Sequence, residues 1–161
     1  MTDATGTRNM LRHTVAALAY RAAKPLRGAP DSFVNFKVSS GSRTPVEILA
    51  HMGDLFDWAL SIARGAEQWN NAKPLSWEQE VQRFFTTLQA FDDYLASGEP
   101  LHGSAEGLFQ GPVADALTHT GQLAMLRRAA GAPIRGENYF RAEITAGSVS
   151  MAQAAGRQEF E

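Results

Sequence analysis

The sequence predicts an all-α protein, an antiparallel four-helix bundle in which a long crossover joins the first two helices. Three observations predict this fold: apolar residues recur at helical spacing in four segments, two of those segments open with capping boxes, and glycine or proline residues separate them. The chain has 161 residues, of which 44% are hydrophobic. That length and balance fit one domain spanning residues 1–161.

The first predicted helix is followed by the long crossover. The helix is expected to end near Lys24-Pro25, because the residue before a proline avoids helical geometry. Residues 25–44 are rich in proline, glycine and serine, but the apolar residues within 33–38 predict a connection that packs on the helices. The helical spacing itself is carried by Leu11, Val15, Leu18 and Ala22.

The second predicted helix has a well-defined start. Thr44 is placed as the N-cap, Pro45 occupies the first helical position, and Glu47 follows three residues after the cap. A threonine and a glutamate at this spacing form a capping box, in which each side chain binds the other residue's backbone N–H. The helix is predicted to run to about Gly65.

The third predicted helix opens with a second capping box at Ser76-Trp77-Glu78-Gln79 and ends at Ser97-Gly98. Its apolar residues alternate steps of four and three, which is the spacing of a bundle seam. The seam consists of Trp77, Val81, Phe84, Leu88, Phe91 and Leu95.

The fourth predicted helix is expected to begin near Pro112 and to end before Gly131-Ala132-Pro133. The tail from Ile134 to Glu161 has weak periodicity, so we expect it to be irregular and to lie along the bundle.

Composition excludes several classes of function. The chain has no cysteine, which excludes disulfides, thiolate metal sites and a cysteine nucleophile. Fifteen Lys and Arg residues against seventeen Asp and Glu residues give a net charge of −2, with no basic run longer than Arg127-Arg128, so nucleic-acid binding is not expected.

No apolar stretch approaches the ~20 residues of a membrane span, and the N-terminus has no apolar signal core. We therefore expect a cytoplasmic protein.

Three side chains are candidate metal ligands. His51 lies three residues after Ile48, on the predicted buried face of the second helix, and His119 is placed similarly on the fourth. Asp115 precedes His119 by four residues, so the two side chains share one helix face. Two imidazoles and a carboxylate that face a bundle interior suit Zn²⁺, Ni²⁺, Fe²⁺ or Mn²⁺. Three protein ligands would leave positions open for chemistry.

Each of these residues also has a simpler interpretation. His51 and His119 could be partly buried histidines with hydrogen-bond partners, and Asp115 could orient His119 or accept a backbone hydrogen bond. Glu47 is first a capping residue, and Asp54 is favoured as a surface residue. Either one remains a candidate general base because both lie near His51 in the sequence.

The other histidines and the arginine pair are less informative. His13 lies off the apolar face of the first helix, and His102 lies in a loop, so both are predicted to be on the surface. Arg127 and Arg128 fit the C-terminal end of a helix, where cations are favoured, although they could also bind a substrate carboxylate.

Two stretches carry a family resemblance. Residues 48–58, which begin Ile-Leu-Ala-His-Met-Gly-Asp, and residues 115–123, Asp-Ala-Leu-Thr-His-Thr-Gly-Gln-Leu, followed by Arg128, resemble the DinB-like superfamily, which includes YfiT-like metal-dependent hydrolases. The resemblance spans residues 8–131. His51 matches the first histidine ligand of that family and His119 the third, while Asp115 stands where a second histidine is usual.

The resemblance implies a four-helix bundle with a long crossover, a divalent metal that is commonly nickel or zinc, and homodimerisation. Relatives include isomerases and S-transferases in which the metal activates a low-molecular-weight thiol. Asp115 keeps a competent ligand but adds a negative charge, which changes the expected metal preference or affinity.

The sequence thus supports two hypotheses. In the first, His51, Asp115 and His119 bind one divalent ion that activates a thiol cosubstrate or water for transfer, isomerisation or hydrolysis of a small molecule. In the second, the chain is a metal-free dimeric binding or stress-response protein on the same bundle.

Overall fold

A computed structural model describes residues 4–161, so the first three residues of the predicted domain lie outside the described part. The described chain is mostly helical, which confirms the all-α class. The elements in chain order are α1 (Ala4–Leu26), α2 (Asp31–Val34), α3 (Pro45–Ala63), α4 (Trp77–Ala96), α5 (Ala105–Leu108), a π-helical segment (Phe109–Val113), α6 (Ala114–Ala129), β1 (Gly136–Glu137), a 3₁₀ helix (Tyr139–Arg141) and β2 (Glu159–Phe160).

Within residues 4–161, the four long helices α1, α3, α4 and α6 enclose one apolar core. α3 packs most extensively against α4, and α1 packs against both α4 and α6. α3 also contacts α6, which is the contact that matters for the candidate site. No helix in this part of the chain is both long enough and apolar enough to cross a membrane. The largest side chains that are fully buried in the core include Phe33, Phe56, Phe84, Phe91, Leu49, Met52 and Leu88.

Both predicted capping boxes are confirmed. The Thr44 hydroxyl accepts a hydrogen bond from the Glu47 backbone N–H at 3.3 Å, and the Glu47 carboxylate accepts from the Thr44 backbone N–H at 2.7 Å. Ser76 and Gln79 make the same reciprocal pair at the start of α4. These bonds satisfy backbone donors that have no partner inside the helix, so they fix where α3 and α4 begin.

The crossover packs on the helices, as its apolar residues predict. α1 includes Pro25 in its last turn and ends one residue later, close to the predicted end. The following turn uses Gly28 at φ +61°, a conformation that glycine adopts at little cost. Phe33, in the one-turn helix α2, is fully buried and meets the Trp77 ring edge to face at 5.7 Å.

Arg127 is a buried structural residue. Its side chain donates hydrogen bonds to the carbonyls of Pro25, Arg27 and Ala132, at 3.0, 3.2 and 2.7 Å. The residue is 6% exposed, which leaves its guanidinium committed to backbone oxygens. Of the two predicted roles, the structure therefore supports the helix-terminal one.

The predicted start of the fourth helix near Pro112 agrees with α6, which begins at Ala114, but the prediction missed the helical structure that precedes it. Helical structure begins at Ala105, with Ser104 as the N-cap, and passes through the π-helical segment Phe109–Val113 into α6. A proline inside a helix lacks an N–H and crowds the carbonyl four residues earlier, so an ordinary α-turn cannot include it without distortion. The wider π turn includes Pro112 and lets the helix continue.

The tail is largely irregular, as expected, and is anchored to α1. Its two short strands pair antiparallel, with Gly136 opposite Phe160. Buried Glu137 accepts a hydrogen bond from the Tyr20 hydroxyl at 2.7 Å and pairs with Lys24 at 2.6 Å. Burial acts to raise the pKa of Glu137, but the Lys24 and Tyr20 donors outweigh it and hold that pKa below its usual range. Val149 adds a buried apolar contact.

The capping box of α3 gives a first prediction. Thr44→Ala should lower the free energy of unfolding by about 1 kcal/mol, because the Glu47 backbone N–H loses its acceptor. Hydrogen bonds from the Thr44 backbone and hydroxyl lower the pKa of Glu47, so the stability that Glu47 contributes is present above pH 4.5 and is lost as the pH falls through the lowered pKa. Thr44→Ala should also weaken this acid sensitivity.

Urea titrations at several pH values measure both effects. The matched control is Thr118→Ala, since Thr118 is exposed on α6 and bonds only to the carbonyl of Ala114 one turn earlier. Equal losses in the two variants would contradict the role of the cap.

Candidate metal centre

Helices α3 and α6 bring the three predicted ligands together. The Nε2 atom of His51 lies 3.2 Å from Oδ2 of Asp115, and Nε2 of His119 lies 3.4 Å from Oδ1 of the same carboxylate. One ligand atom from each residue lies within 4.8 Å of the others. The side chains of His51 and His119 are 20% and 12% exposed, and that of Asp115 is 45% exposed, so the cluster lies at the edge of the core and is open to solvent on one side.

The π-helical segment sets the direction in which Asp115 and His119 point. Asp115 is the second residue of α6, so only one residue separates it from the end of the π-helical segment at Val113. A π turn holds more residues than an α-turn, so everything after it is rotated about the helix axis relative to an unbroken α-helix. Asp115 and His119 then share one face at i, i+4 spacing and meet His51 on α3.

Gln122 orients the imidazole of His119. Its Oε1 lies 2.7 Å from Nδ1 of His119, on the next turn of α6. In this orientation of the carboxamide, Nδ1 carries the proton and donates it to Gln122, which leaves the lone pair of Nε2 directed toward Asp115. Outer partners of this kind fix the tautomer that metal binding requires.

When His119 is neutral and in this tautomer, its contact with Asp115 joins two acceptors. A lone pair on Nε2 and a carboxylate oxygen face each other across 3.4 Å with no proton between them in this tautomer. A cation shared by the two atoms would convert this contact into a stabilising one. The arrangement is thus suited to a positively charged ligand.

The donor spacing fits a small divalent ion. For ligand bonds of about 2.1 Å in tetrahedral geometry, neighbouring donor atoms lie about 3.4 Å apart. The distances of 3.2 and 3.4 Å, from His51 to Oδ2 and from His119 to Oδ1 of Asp115, are close to this value. The group formed by His51, Asp115 and His119 could therefore hold a metal ion.

Two tryptophans form one wall of the site. The Trp69 ring lies edge to face with the His51 imidazole at 5.7 Å, and it meets Trp58 in the same geometry at 5.8 Å. Trp58 also donates a hydrogen bond to Glu67 at 3.1 Å. Trp69 remains 45% exposed, so it covers the imidazole while presenting its own surface to solvent.

A cleft of about 420 Å³ opens beside Asp115. This volume is within the range of small-molecule sites. Its lining contains no lysine or arginine, and its one charged group is Asp115. The lining residues are Leu55, Trp58, Gln110, Gly111, Ala114, Asp115 and Thr118.

Asp54 is not a surface residue, contrary to the prediction. It is 2% exposed, its Oδ1 lies 2.9 Å from the Arg83 guanidinium, and its Oδ2 accepts from the Ala72 backbone N–H at 3.1 Å. Spacing along α3 could not reveal these partners, because they come from α4 and from the loop before it. Because both oxygens are hydrogen-bonded and the side chain is buried, the geometry supports a structural role for Asp54 rather than that of a general base. Glu47 is engaged in its capping box, which confirms the capping role.

The remaining candidates lie where they were predicted. His13 and His102 are exposed. Arg128 is also exposed and donates to the carbonyls of Ala124 and Ile134, so it serves the C-terminal end of α6.

Sequence reasoning assigned no role to Gln122, Trp69 or Arg83. Gln122 had a usable signal, because a residue three positions after a histidine on a helix can reach that histidine's ring. Trp69 lies in a loop without periodicity, so only the folded chain places it beside His51.

No protein-family model, curated protein or solved structure matches this chain.

The link between Gln122 and His119 gives a second prediction. In metal-free protein at about pH 9, where an imidazole is neutral, ¹⁵N NMR should show the Nδ1–H tautomer of His119. Gln122→Leu should convert this into a mixture of tautomers, because the acceptor at Nδ1 is lost. Gln110→Leu is the control, since Gln110 lines the cleft but is not bonded to His119. An unchanged tautomer in Gln122→Leu would contradict the assignment.

Proposed function

We propose that this protein is a divalent-metal-dependent enzyme that acts on a small molecule, with His51, Asp115 and His119 as the metal ligands. The observation that carries the proposal is the convergence of these three side chains from α3 and α6, with their ligand atoms within 4.8 Å of one another. Exposed acidic clusters are common on proteins, but two imidazoles sharing one carboxylate are a more specific donor set.

The donor set suits Ni²⁺ or Zn²⁺ first, and Fe²⁺ or Mn²⁺ as well. When bound by three protein ligands, such an ion keeps open positions and supplies Lewis acidity that activates a thiol or water. Because the chain has no cysteine, any thiol must come from a cosubstrate. The resemblance of residues 8–131 to DinB-like proteins favours a low-molecular-weight thiol.

The chain's own residues prepare the site for this chemistry. Gln122 holds His119 with Nε2 toward the shared carboxylate, and Trp69 covers one edge of His51. The cleft beside Asp115 provides space for the small molecule. With no basic residue in that lining, the cleft favours uncharged or cationic substrates over anionic ones. The reaction classes that fit are transfer, isomerisation and hydrolysis.

The wider proposal is a DinB/YfiT-like protein: an antiparallel four-helix bundle with a long crossover between α1 and α3, a homodimer, located in the cytoplasm and independent of nucleic acid. Mutual packing of the four long helices supports the bundle. The net charge of −2 supports the absence of a nucleic-acid partner.

One observation favours the second candidate, a metal-free dimeric binding or stress-response protein. Asp115 contacts both imidazoles directly, so His51, Asp115 and His119 form a connected polar cluster without any ion. With a proton on Nε2 of each imidazole, both contacts become hydrogen bonds to Asp115, and such a cluster can serve structure alone.

Metal analysis distinguishes the two candidates. Purified protein should contain a divalent metal or take up Ni²⁺ or Zn²⁺, and saturating metal should raise the Tm, because a ligand that binds the native state stabilises it. His51→Ala and His119→Ala should abolish uptake, while Asp115→His should retain or strengthen it. His13→Ala and His102→Ala are matched controls, because both residues are exposed and lie outside the site.

If the wild-type protein neither contains nor binds any of the four metals, the proposal fails and the metal-free candidate stands. The proposal also fails if the controls lose as much metal as His51→Ala does.

Thiol activation is tested separately on the Ni²⁺ or Co²⁺ form. Addition of β-mercaptoethanol should produce a thiolate-to-metal absorption band, whereas ethylene glycol, which has the same shape with an alcohol in place of the thiol, should not. The band should disappear in His119→Ala. A loaded wild-type protein that shows no spectral response to the thiol would limit the proposed chemistry to activation of water.

A further inference from the structure

The loop between α3 and α4, residues 64–76, carries Trp69 to the metal centre. Every residue of this loop is exposed, so burial of apolar surface contributes little to its position. Its first half is tied to α3 by Ser61, whose hydroxyl accepts from the Gln68 backbone N–H at 3.0 Å. Trp69 follows directly, and a second set of contacts holds the residues after it.

Two buried carboxylates hold the second half of the loop. Oδ2 of Asp54, on α3, accepts from the Ala72 backbone N–H at 3.1 Å. Oε1 of Glu80, on α4, accepts from the Leu75 backbone N–H at 2.9 Å. Asp54 is 2% exposed and Glu80 is fully buried. Each carboxylate has thus given one oxygen to the loop and retains a second oxygen that also needs a partner.

Arg83 supplies both missing partners. Its Nη1 lies 2.9 Å from Oδ1 of Asp54, and its Nε lies 2.8 Å from Oε2 of Glu80. Its Nη2 donates to the carbonyl of Ala50 at 2.6 Å, directly before His51 in the chain. One guanidinium therefore joins the helix segment that carries His51 to the two carboxylates that hold the loop. We call Asp54, Glu80 and Arg83 the loop clamp.

Gly53 provides the space for this guanidinium. A Cβ atom at position 53 would lie 2.8 Å from Cζ of Arg83 and 3.0 Å from both Nη atoms. Glycine inside a helix is unfavourable relative to alanine by roughly 0.5–1 kcal/mol. Because the guanidinium is held by three partners, it has no easy way to move aside. The presence of glycine two residues after His51 is explained by the clamp.

We propose that Arg83 is a positioning residue of the metal centre, which acts through the loop clamp to hold Trp69 against His51. The expected effect of Arg83 on metal binding rests on the proposed function. Its expected effect on the position of the loop does not. Trp69 restricts the imidazole of His51 and shields one of its edges from water. Loss of the clamp should therefore leave all three ligands in place and still weaken the site.

The test compares Arg83→Met with Arg12→Met. Arg12 is the matched control, because it makes a similar two-bond contact to buried Asp92, at 3.0 and 2.9 Å, between α1 and α4. In Arg83→Met, the amide hydrogens of Ala72 and Leu75 should exchange faster, and the NOE between the Trp69 indole and the His51 imidazole should weaken or vanish. Arg12→Met should change neither.

Calorimetric titration with Ni²⁺ alone measures the effect on the metal. We expect Arg83→Met to raise the Kd by about 10-fold to 100-fold, the range typical of lost outer partners, and Arg12→Met to leave it unchanged. A merely structural role for Arg83 would lower the Tm of both variants while the two Kd values stayed equal.

Gly53→Ala is a second variant that keeps every clamp residue. Helix propensity alone predicts that this change stabilises α3. The clamp predicts instead that Arg83 is displaced, so that exchange at Ala72 and Leu75 accelerates and the Kd for Ni²⁺ rises. Gly121→Ala is its control, because a Cβ at position 121 would have no neighbour within 4 Å.

The outcomes separate the two proposals. If wild-type protein binds no Ni²⁺, the proposed function fails, and the exchange and NOE measurements alone decide whether Arg83 positions Trp69. If wild-type protein binds Ni²⁺ but Arg83→Met and Gly53→Ala keep its Kd and its NOE, the positioning role is overturned and the proposed function is unaffected.

Discussion

The contacts of the Arg83 guanidinium determine the position of the loop that covers the site. The guanidinium joins α4 to α3 through the Ala50 carbonyl and through two buried carboxylates, each of which needs it to offset the cost of leaving water. Because Asp54 and Glu80 use their second oxygens for loop amides, the same cation also determines where an otherwise exposed loop lies. Apolar packing in the core positions the helices, and the contacts of Arg83 position the loop that lies over them.

The three candidate ligands are held by a different set of contacts. Asp115 is half exposed and lies between two imidazoles, whereas each carboxylate of the loop clamp contacts the Arg83 guanidinium. Gln122 contacts Nδ1 of His119, on the side of the ring away from Asp115. Two polar clusters thus include neighbouring residues of α3: Arg83 completes one, and the other could hold a metal ion.

Local signals in the sequence predicted much of the fold. The capping box at Thr44 depends on two residues that are three positions apart, and the shared face of Asp115 and His119 depends on a spacing of four positions. Both features could therefore be inferred from the sequence alone. The helical turns before α6 could not be inferred, because Pro112 at a helix start and Pro112 within a π turn give the same sequence pattern. The environment of Asp54 is set by partners 18 and 29 residues away, which periodicity does not reveal.

The π-helical segment has a consequence for how the chain can vary. A π turn is equivalent to one extra residue inserted into an α-helix, and here Pro112 within the turn restricts which register the helix can adopt. The direction in which each face of α6 points is therefore set by the few residues of the π-helical segment, and not by the core side chains that follow it. Insertion or deletion of one residue in this segment would rotate all of α6 about its axis. Asp115 and His119 would then both point away from α3, although neither residue had been changed.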